Sequence, residues 1–185
     1  MSTVLMNEGT DLRIRKARSE DLDQIEAIYD RVHKEEEEGK TVIGWIRGIY
    51  PIRKTAEDAL ERDDLFVMET EGNILATAII NQIQVPEYSQ AAWKNQADDE
   101  EVMVLHTLIV DPLHQGKGLA KVFVAYYENY ALKQDCHELR MDTNAKNRKA
   151  RAMYKQLGYE EIDIVPCIFN GIPDVQLVCL EKVLA

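Results

Sequence analysis

Only three cysteines, Cys136, Cys167 and Cys179, occur among 185 residues, and none stands in a C-x-x-C spacing. An odd, scattered set argues against a disulfide framework or a metal staple, and reads as reduced thiols packed inside an intracellular protein. Basic charge is scarce: 22 Lys and Arg face 33 Asp and Glu, for a net charge of −11. Such a surface repels a phosphate backbone, so nucleic acid is a poor partner. No segment approaches the ~20 apolar residues of a membrane span. Met1 to Thr10 has no basic stretch followed by an apolar run, so a secretory leader is not expected either. The expectation is a cytoplasmic protein without a membrane partner. No repeat or linker breaks the chain, so residues 1–185 read as one domain, long enough to bury about two-thirds of its unfolded surface.

Periodicity supplies the elements. Leu12 to Ala17 alternates as a half-buried strand, and Ser19 offers a hydroxyl cap to a helix with Leu22, Ile25, Ile28, Tyr29 and Val32 on one side. The acidic run Glu35 to Glu38 before Gly39 reads as solvated helix surface. Thr55 can cap a short helix over Ala56 to Arg62, and Leu65 to Thr70 with Ile74 to Gln82 form a hairpin. Val85 to Glu100 is a long connection of the kind that covers a site. Glu101 to Val110, nearly all apolar, reads as a central strand covered on both faces. Val122, Phe123, Tyr126, Tyr127, Tyr130 and Ala131 fit the helical template from Leu119 onward. A strand at Glu138 to Thr143, a helix at Lys146 to Leu157 stopped by Gly158, and strands at Tyr159 to Val165 and Val175 to Val183 complete the order.

Between the central strand and the next helix lies Val110-Asp-Pro-Leu-His-Gln-Gly-Lys-Gly-Leu-Ala120. A strand, a glycine turn and a helix N-terminus in that order can hold an anion, although a plain strand-to-helix turn would look the same. A Walker loop is ruled out because no glycine stands four residues before Gly116-Lys117 and no Ser or Thr follows Lys117. A dinucleotide fingerprint fails for want of a third glycine.

These residues resemble the pyrophosphate-binding motif of GNAT acyltransferases, Gln/Arg-x-x-Gly-x-Gly/Ala, at Gln115, Gly118 and Ala120. A second signature of that family, an asparagine, a small residue and a tyrosine before Gly-aromatic, is similar to Asn147, Ala150, Tyr154, Gly158 and Tyr159. The resemblance covers most of the chain and implies an α/β (α+β) fold, a mixed, mostly antiparallel sheet of about seven strands flanked by about four helices. It implies an N-acetyltransferase that takes acetyl-CoA as cofactor. The backbone of Gln115, Gly116, Lys117, Gly118, Leu119 and Ala120 would cradle the pyrophosphate, and Leu108, Ile109 and Val110 would pair with the pantetheine arm. Asn147 and Tyr154 would complete the cofactor site, Tyr154 protonating the departing thiolate. Lys117, Lys121, Arg148, Lys149 and Arg151 gather cations around this turn. Homodimers are common on this fold by the same resemblance.

Releasing a nucleophilic amine at pH 7 from an ammonium of pKa near 10.4 costs roughly 4.6 kcal/mol, so a proton acceptor is needed. His106, on the strand that leads to the turn, suits that task, or is a packed histidine; Glu101, Asp142 and a water relay compete with it. A bulge near Thr107 and Leu108 would aim a backbone N–H at a developing oxyanion, and the family resemblance implies Leu108 as that donor. Trp45, Tyr50 and Asp142 are the acceptor-site candidates, the two aromatics being equally acceptable as core. With Tyr50-Pro51, Leu105-His106 and Arg140-x-Asp142-Thr143, they resemble a bacterial subfamily of the same family. Asn144 departs from it, where that pattern has histidine. Two other readings share these motifs: a non-catalytic acyl-CoA-binding module, and an acetylase of proteins or peptides. The favoured one is acetylation of a small-molecule primary amine, with no metal.

Overall fold

The computed structural model describes residues 3–7 and 10–185, with side chains from Leu12 onward. Its elements are β1 (Thr3–Asn7), β2 (Thr10–Lys16), α1 (Leu22–Glu37), α2 (Arg53–Glu61), β3 (Leu65–Thr70), β4 (Asn73–Asn81) and β5 (Val102–Val110). After these come α3 (Leu119–Lys133), β6 (Glu138–Asn144), α4 (Arg148–Gln156), β7 (Glu160–Phe169) and β8 (Ile172–Val183). One sheet runs β1-β2-β3-β4-β5-β6-β8-β7. All neighbours are antiparallel except β5 and β6, which are parallel and joined through α3. This is the mixed, mostly antiparallel sheet with four helices that the motifs imply. It carries one strand more, because Thr3–Asn7 pairs with β2; five residues leave too little periodicity to read.

The helices cover both faces. Ile25, Ile28, Tyr29 and Val32 of α1 pack with Ala56 and Ala59 of α2 on Leu65, Val67 and Ile79. Phe123, Val124 and Tyr127 of α3 pack on the other face against Phe66, Met103, Leu139 and Met141. Cys136 and Cys179 are buried and Cys167 half-buried, all as free thiols.

Two helix starts differ from expectation. Ser19 opens a 3-10 turn (Ser19–Asp21), and the Asp21 carboxylate, not the Ser19 hydroxyl, accepts the Arg18 N–H at 2.7 Å. Asp21 is fixed there by the Arg15 guanidinium at 2.7 and 2.9 Å. Thr55 lies inside α2: its Oγ1 reaches back to the Ile52 N–H at 3.1 Å, so the helix starts at Arg53. No helix among the described residues is long and apolar enough to cross a membrane.

Candidate active site

The sheet opens at its centre. β5 pairs with β6 only from Val102 to Leu105 against Glu138 to Met141. The buried Tyr127 hydroxyl sits at this last paired stretch, donating towards the carbonyls of Met103 on β5 and Arg140 on β6 at 2.6 and 3.2 Å. Beyond it the strands diverge. The β4 register shifts between Ile79↔His106 and Thr77↔Ile109, and Thr107 takes φ 51° at the resulting bulge. Thr107 and Leu108 have no register partner in either neighbouring strand. Leu108 therefore borders the cleft outside either ladder.

One arm of the cleft is a groove of about 490 Å³. Leu108, Ile109 and Val110 form one wall, the turn Gln115, Gly116, Gly118, Leu119 and Ala120 its end, and Asn147, Ala150, Met153 and Tyr154 of α4 the other. Gly116 and Gly118 adopt φ 79° and 76°, which favour glycine, and a Cβ on either would meet no protein atom within 4 Å. Both border open space. Gly118 precedes α3, whose first-turn N–H groups have no intrahelical acceptor and present the positive end of the helix dipole. Asp111 fixes the turn: it accepts the Leu113 N–H at 3.1 Å and is gripped by the Arg31 guanidinium of α1 at 2.8 and 2.7 Å. Lys121 and Lys149 line the groove. Lys117 and Arg148 do not, and Arg151 is held away by Glu161 at 2.7 and 2.8 Å. An amide cradle, two lysines and a free strand edge fit a pyrophosphate followed by an amide-bearing arm, as acetyl-CoA has.

The other arm is a cavity of about 150 Å³, sharing Ile43, Trp45, Leu108, Asn147, Ala150 and Tyr154 with the groove. Its walls add Tyr50, His106, Asp142 and Asn144, with Phe169 and Asn170 from the β7–β8 hairpin. Trp45 and Tyr50 meet edge to face at 6.1 Å, and the Tyr50 hydroxyl bonds to Thr107 Oγ1 at the bulge. The structure thus brings Trp45, Tyr50, His106, Asp142 and Tyr154 to one cavity that opens on the groove at Leu108. Asn147 has a structural task as well, capping α4 through the Ala150 N–H at 3.1 Å.

Titration separates the acids and bases. Burial against the cavity pushes the Asp142 carboxyl up to about 7, opposed by the Tyr88 hydroxyl that donates to its Oδ2 at 2.8 Å. Burial pushes His106 down to about 4. Its Nε2 lies 3.0 Å from Asn81 Oδ1, which also accepts the Ile83 N–H. Nε2 is therefore the donor and Nδ1 the basic nitrogen, a weak one. Burial, then the Asp142 charge, raise Tyr154, which keeps its proton across the working range.

Tyr88, Phe169 and Asn170 contribute to the site without a motif that names them. Tyr88 arrives from the long connection, and Phe169 and Asn170 from a hairpin tip whose Asn170-Gly171 pair, at φ 50° and 78°, is a tight-turn signal. The acidic run is more than solvated surface. Glu36 accepts the Ile43 and Gly44 N–H groups at 2.7 and 2.8 Å, and Glu35 accepts from the Gln115 side chain at 3.2 Å. That corrects the reading of Glu35 to Glu38, because these carboxylates tie the Trp45 loop and the glycine turn to α1.

Residues 22–159 match the model of the acetyltransferase (GNAT) family. An uncharacterized N-acetyltransferase of Methanocaldococcus jannaschii is 23% identical over 82% of this chain, a match that spans 62% of that relative's length. A GNAT-family acetyltransferase of Streptococcus agalactiae superposes with a TM-score of 0.81 at 18% identity, over 99% of each chain. A Salmonella typhimurium structure with its cofactor acetyl-CoA superposes at 0.66 and 17% identity, over 94% of each. The opened parallel pair, the glycine turn and the matched residues 22–159 lead to one conclusion: this chain belongs to the acetyltransferase (GNAT) family.

Proposed function

We propose that the protein is an acetyl-CoA-dependent N-acetyltransferase whose acceptor is the primary amine of a small molecule, acting in the cytoplasm. The observation that carries this reading is the junction at Leu108 and Tyr154, where a groove fit for a pyrophosphate and its arm opens into a small cavity holding a carboxylate. Acetyl-CoA supplies an acyl thioester, activated toward an amine. The turn amides and the β5 edge hold and orient that molecule, and the cavity walls exclude water from the junction.

Asp142 is favoured over His106 as the group that takes the amine's proton. A carboxyl at about 7 is half ionised at neutral pH, whereas an imidazole at about 4 is too weak a base for an ammonium near 10.4. The Leu108 N–H would serve as the donor for negative charge on an acyl oxygen held at the junction. Tyr154 delivers its hydroxyl proton to the departing sulfur. Glu101, a sequence competitor, instead accepts the Asp98 N–H at 3.1 Å on an exposed turn.

The test is thiol release from acetyl-CoA with a panel of amines, amino acids, aminoglycosides and basic peptides, by wild type and Tyr154→Phe. Amine-dependent release that weakens in the variant supports the enzyme. Tight coenzyme binding with no release from any acceptor replaces it with a binding module.

A further inference from the structure

The small cavity has a one-sided charge. Among its described lining residues are one carboxylate, Asp142, the neutral amides of Asn144, Asn147 and Asn170, the hydroxyls of Thr107 and Thr143, and no lysine or arginine. The guanidinium groups around it are committed elsewhere. Arg140 donates to Gln84 Oε1 and the Asn95 carbonyl at 2.6 and 2.9 Å and stacks 4.3 Å over Trp93. Arg62 is held by Asp64 at 2.8 Å, and Arg47 by Glu37 and Asp30 at 2.7 and 2.8 Å. His106, the one remaining basic group in the wall, is held by Asn81 and stays neutral. The remaining wall is apolar or aromatic, with Trp45, Tyr50, Tyr154 and Phe169 as rings.

An ammonium group finds a carboxylate among aromatic side chains here. A substrate carboxylate finds neutral amide and hydroxyl donors but no cationic counter-ion, and it meets the Asp142 carboxylate, a like charge when ionised. Size points the same way, since a cavity of about 150 Å³ matches one benzene-sized group better than a multi-ring sugar.

We infer that the acceptor is a small amine with no carboxylate, an alkylamine or arylalkylamine that corresponds to a decarboxylated amino acid. The inference rests on the acetyltransferase reading. It places the enzyme after a reaction of the decarboxylating or reductive-amination class, which makes such amines. In the reaction the amine nitrogen forms a bond to the acetyl carbon and the carbon–sulfur bond breaks. The products are a neutral amide, the free thiol and one proton: of the two protons the ammonium nitrogen loses, Asp142 takes the first and passes it to solvent, and the second replaces the one that Tyr154 gives to the thiolate.

Matched pairs test it: phenethylamine against phenylalanine, 3-methylbutylamine against leucine, and 1,5-diaminopentane against lysine, with a lysine-bearing peptide as a further arm. Each is given to the full chain with acetyl-CoA, and thiol release is followed. At least one amine should exceed its amino acid by ~10²-fold or more in kcat/KM, the penalty expected for an unpaired buried carboxylate. Release with an amino acid at a rate equal to its amine, or release confined to the peptide, overturns the inference and leaves acyl transfer standing. No release from any acceptor, with acetyl-CoA binding retained in calorimetry, overturns the acetyltransferase reading and this inference with it.

Discussion

The Tyr88 hydroxyl donates to Asp142 Oδ2 at 2.8 Å across 54 residues of sequence. It is the one hydrogen bond that moderates the rise of the Asp142 carboxyl toward about 7. Its sign sets the pH dependence. Asp142 accepts a proton only when ionised, so kcat/KM for an amine should climb through an apparent value of about 7. Tyr88→Phe removes a donor to the charged form and should move that limb to higher pH. Asp142→Asn should abolish the limb and lower kcat by ~10² to 10³-fold. A pH–rate series by thiol release measures all three, and an unmoved limb in Asp142→Asn would hand the role to another group.

Tyr154→Phe keeps the ring that packs against Tyr159 at 6.0 Å and removes only the hydroxyl. We expect kcat to fall by ~10²-fold, with the acetyl-CoA Kd changed by no more than about 3-fold. Calorimetry beside turnover separates the two quantities. Equal losses in both would make the hydroxyl a binding group.

Arg31→Ala leaves the Asp111 carboxylate, 3% exposed, without its guanidinium. Allowing for the half-exposed arginine, the cost should be about 2 kcal/mol. That lowers Tm by roughly 4–8 °C in a chain of this size. Because Asp111 also shapes the glycine turn, acetyl-CoA affinity should fall with it. Melting curves with and without the cofactor read both effects.

Glu138 lies beside Glu181, with the Arg140 Nε 3.8 Å from its Oε1. Burial first, then the Glu181 charge, push it up to about 7. The folded chain holds this proton up to about 7 while an unfolded glutamate releases it near 4.3, so folding takes up a proton between the two and stability falls as pH rises through that window. Asp142 acts in the same direction. Glu69 is held below the usual carboxylate range by Arg15, so its contribution is lost only at more acid pH. Glu138→Gln should flatten the decline between pH 5 and 7.5 and raise Tm at pH 7.5. Scanning calorimetry at four pH values decides it; a lower Tm with an unchanged slope would contradict the assignment.

Local pattern carried most of the architecture. The helical spacing from Val122 to Ala131, the apolar run ending at Val110 and the glycines at 116 and 118 each specify their own element, and each lies where expected. The bulge at Thr107 was expected too, on the strand that leads to the turn. What stayed hidden depends on residues far apart in the chain. Arg31 and Asp111 are 80 positions apart, and Tyr88 and Asp142 are 54 apart; no local spacing records either pair. Glu36 illustrates the same limit differently. In composition it belongs to a solvated acidic helix end, and only the returning chain at Ile43 and Gly44 gives its carboxylate two backbone partners.

The last turns of α1 touch both halves of the cleft, through Arg31 to Asp111, Glu35 to Gln115, and Glu36 to the backbone before Trp45. A single rigid helix thus serves as a common splint for the two ligands, and whatever order one ligand imposes on its wall is already partly in place for the other. The two substrates should therefore bind with positive cooperativity, and thermodynamic reciprocity requires the same enhancement factor whichever is added first. Loosening the splint at Glu36 should bring that factor toward unity while leaving the cofactor's affinity, measured alone, nearly as it was.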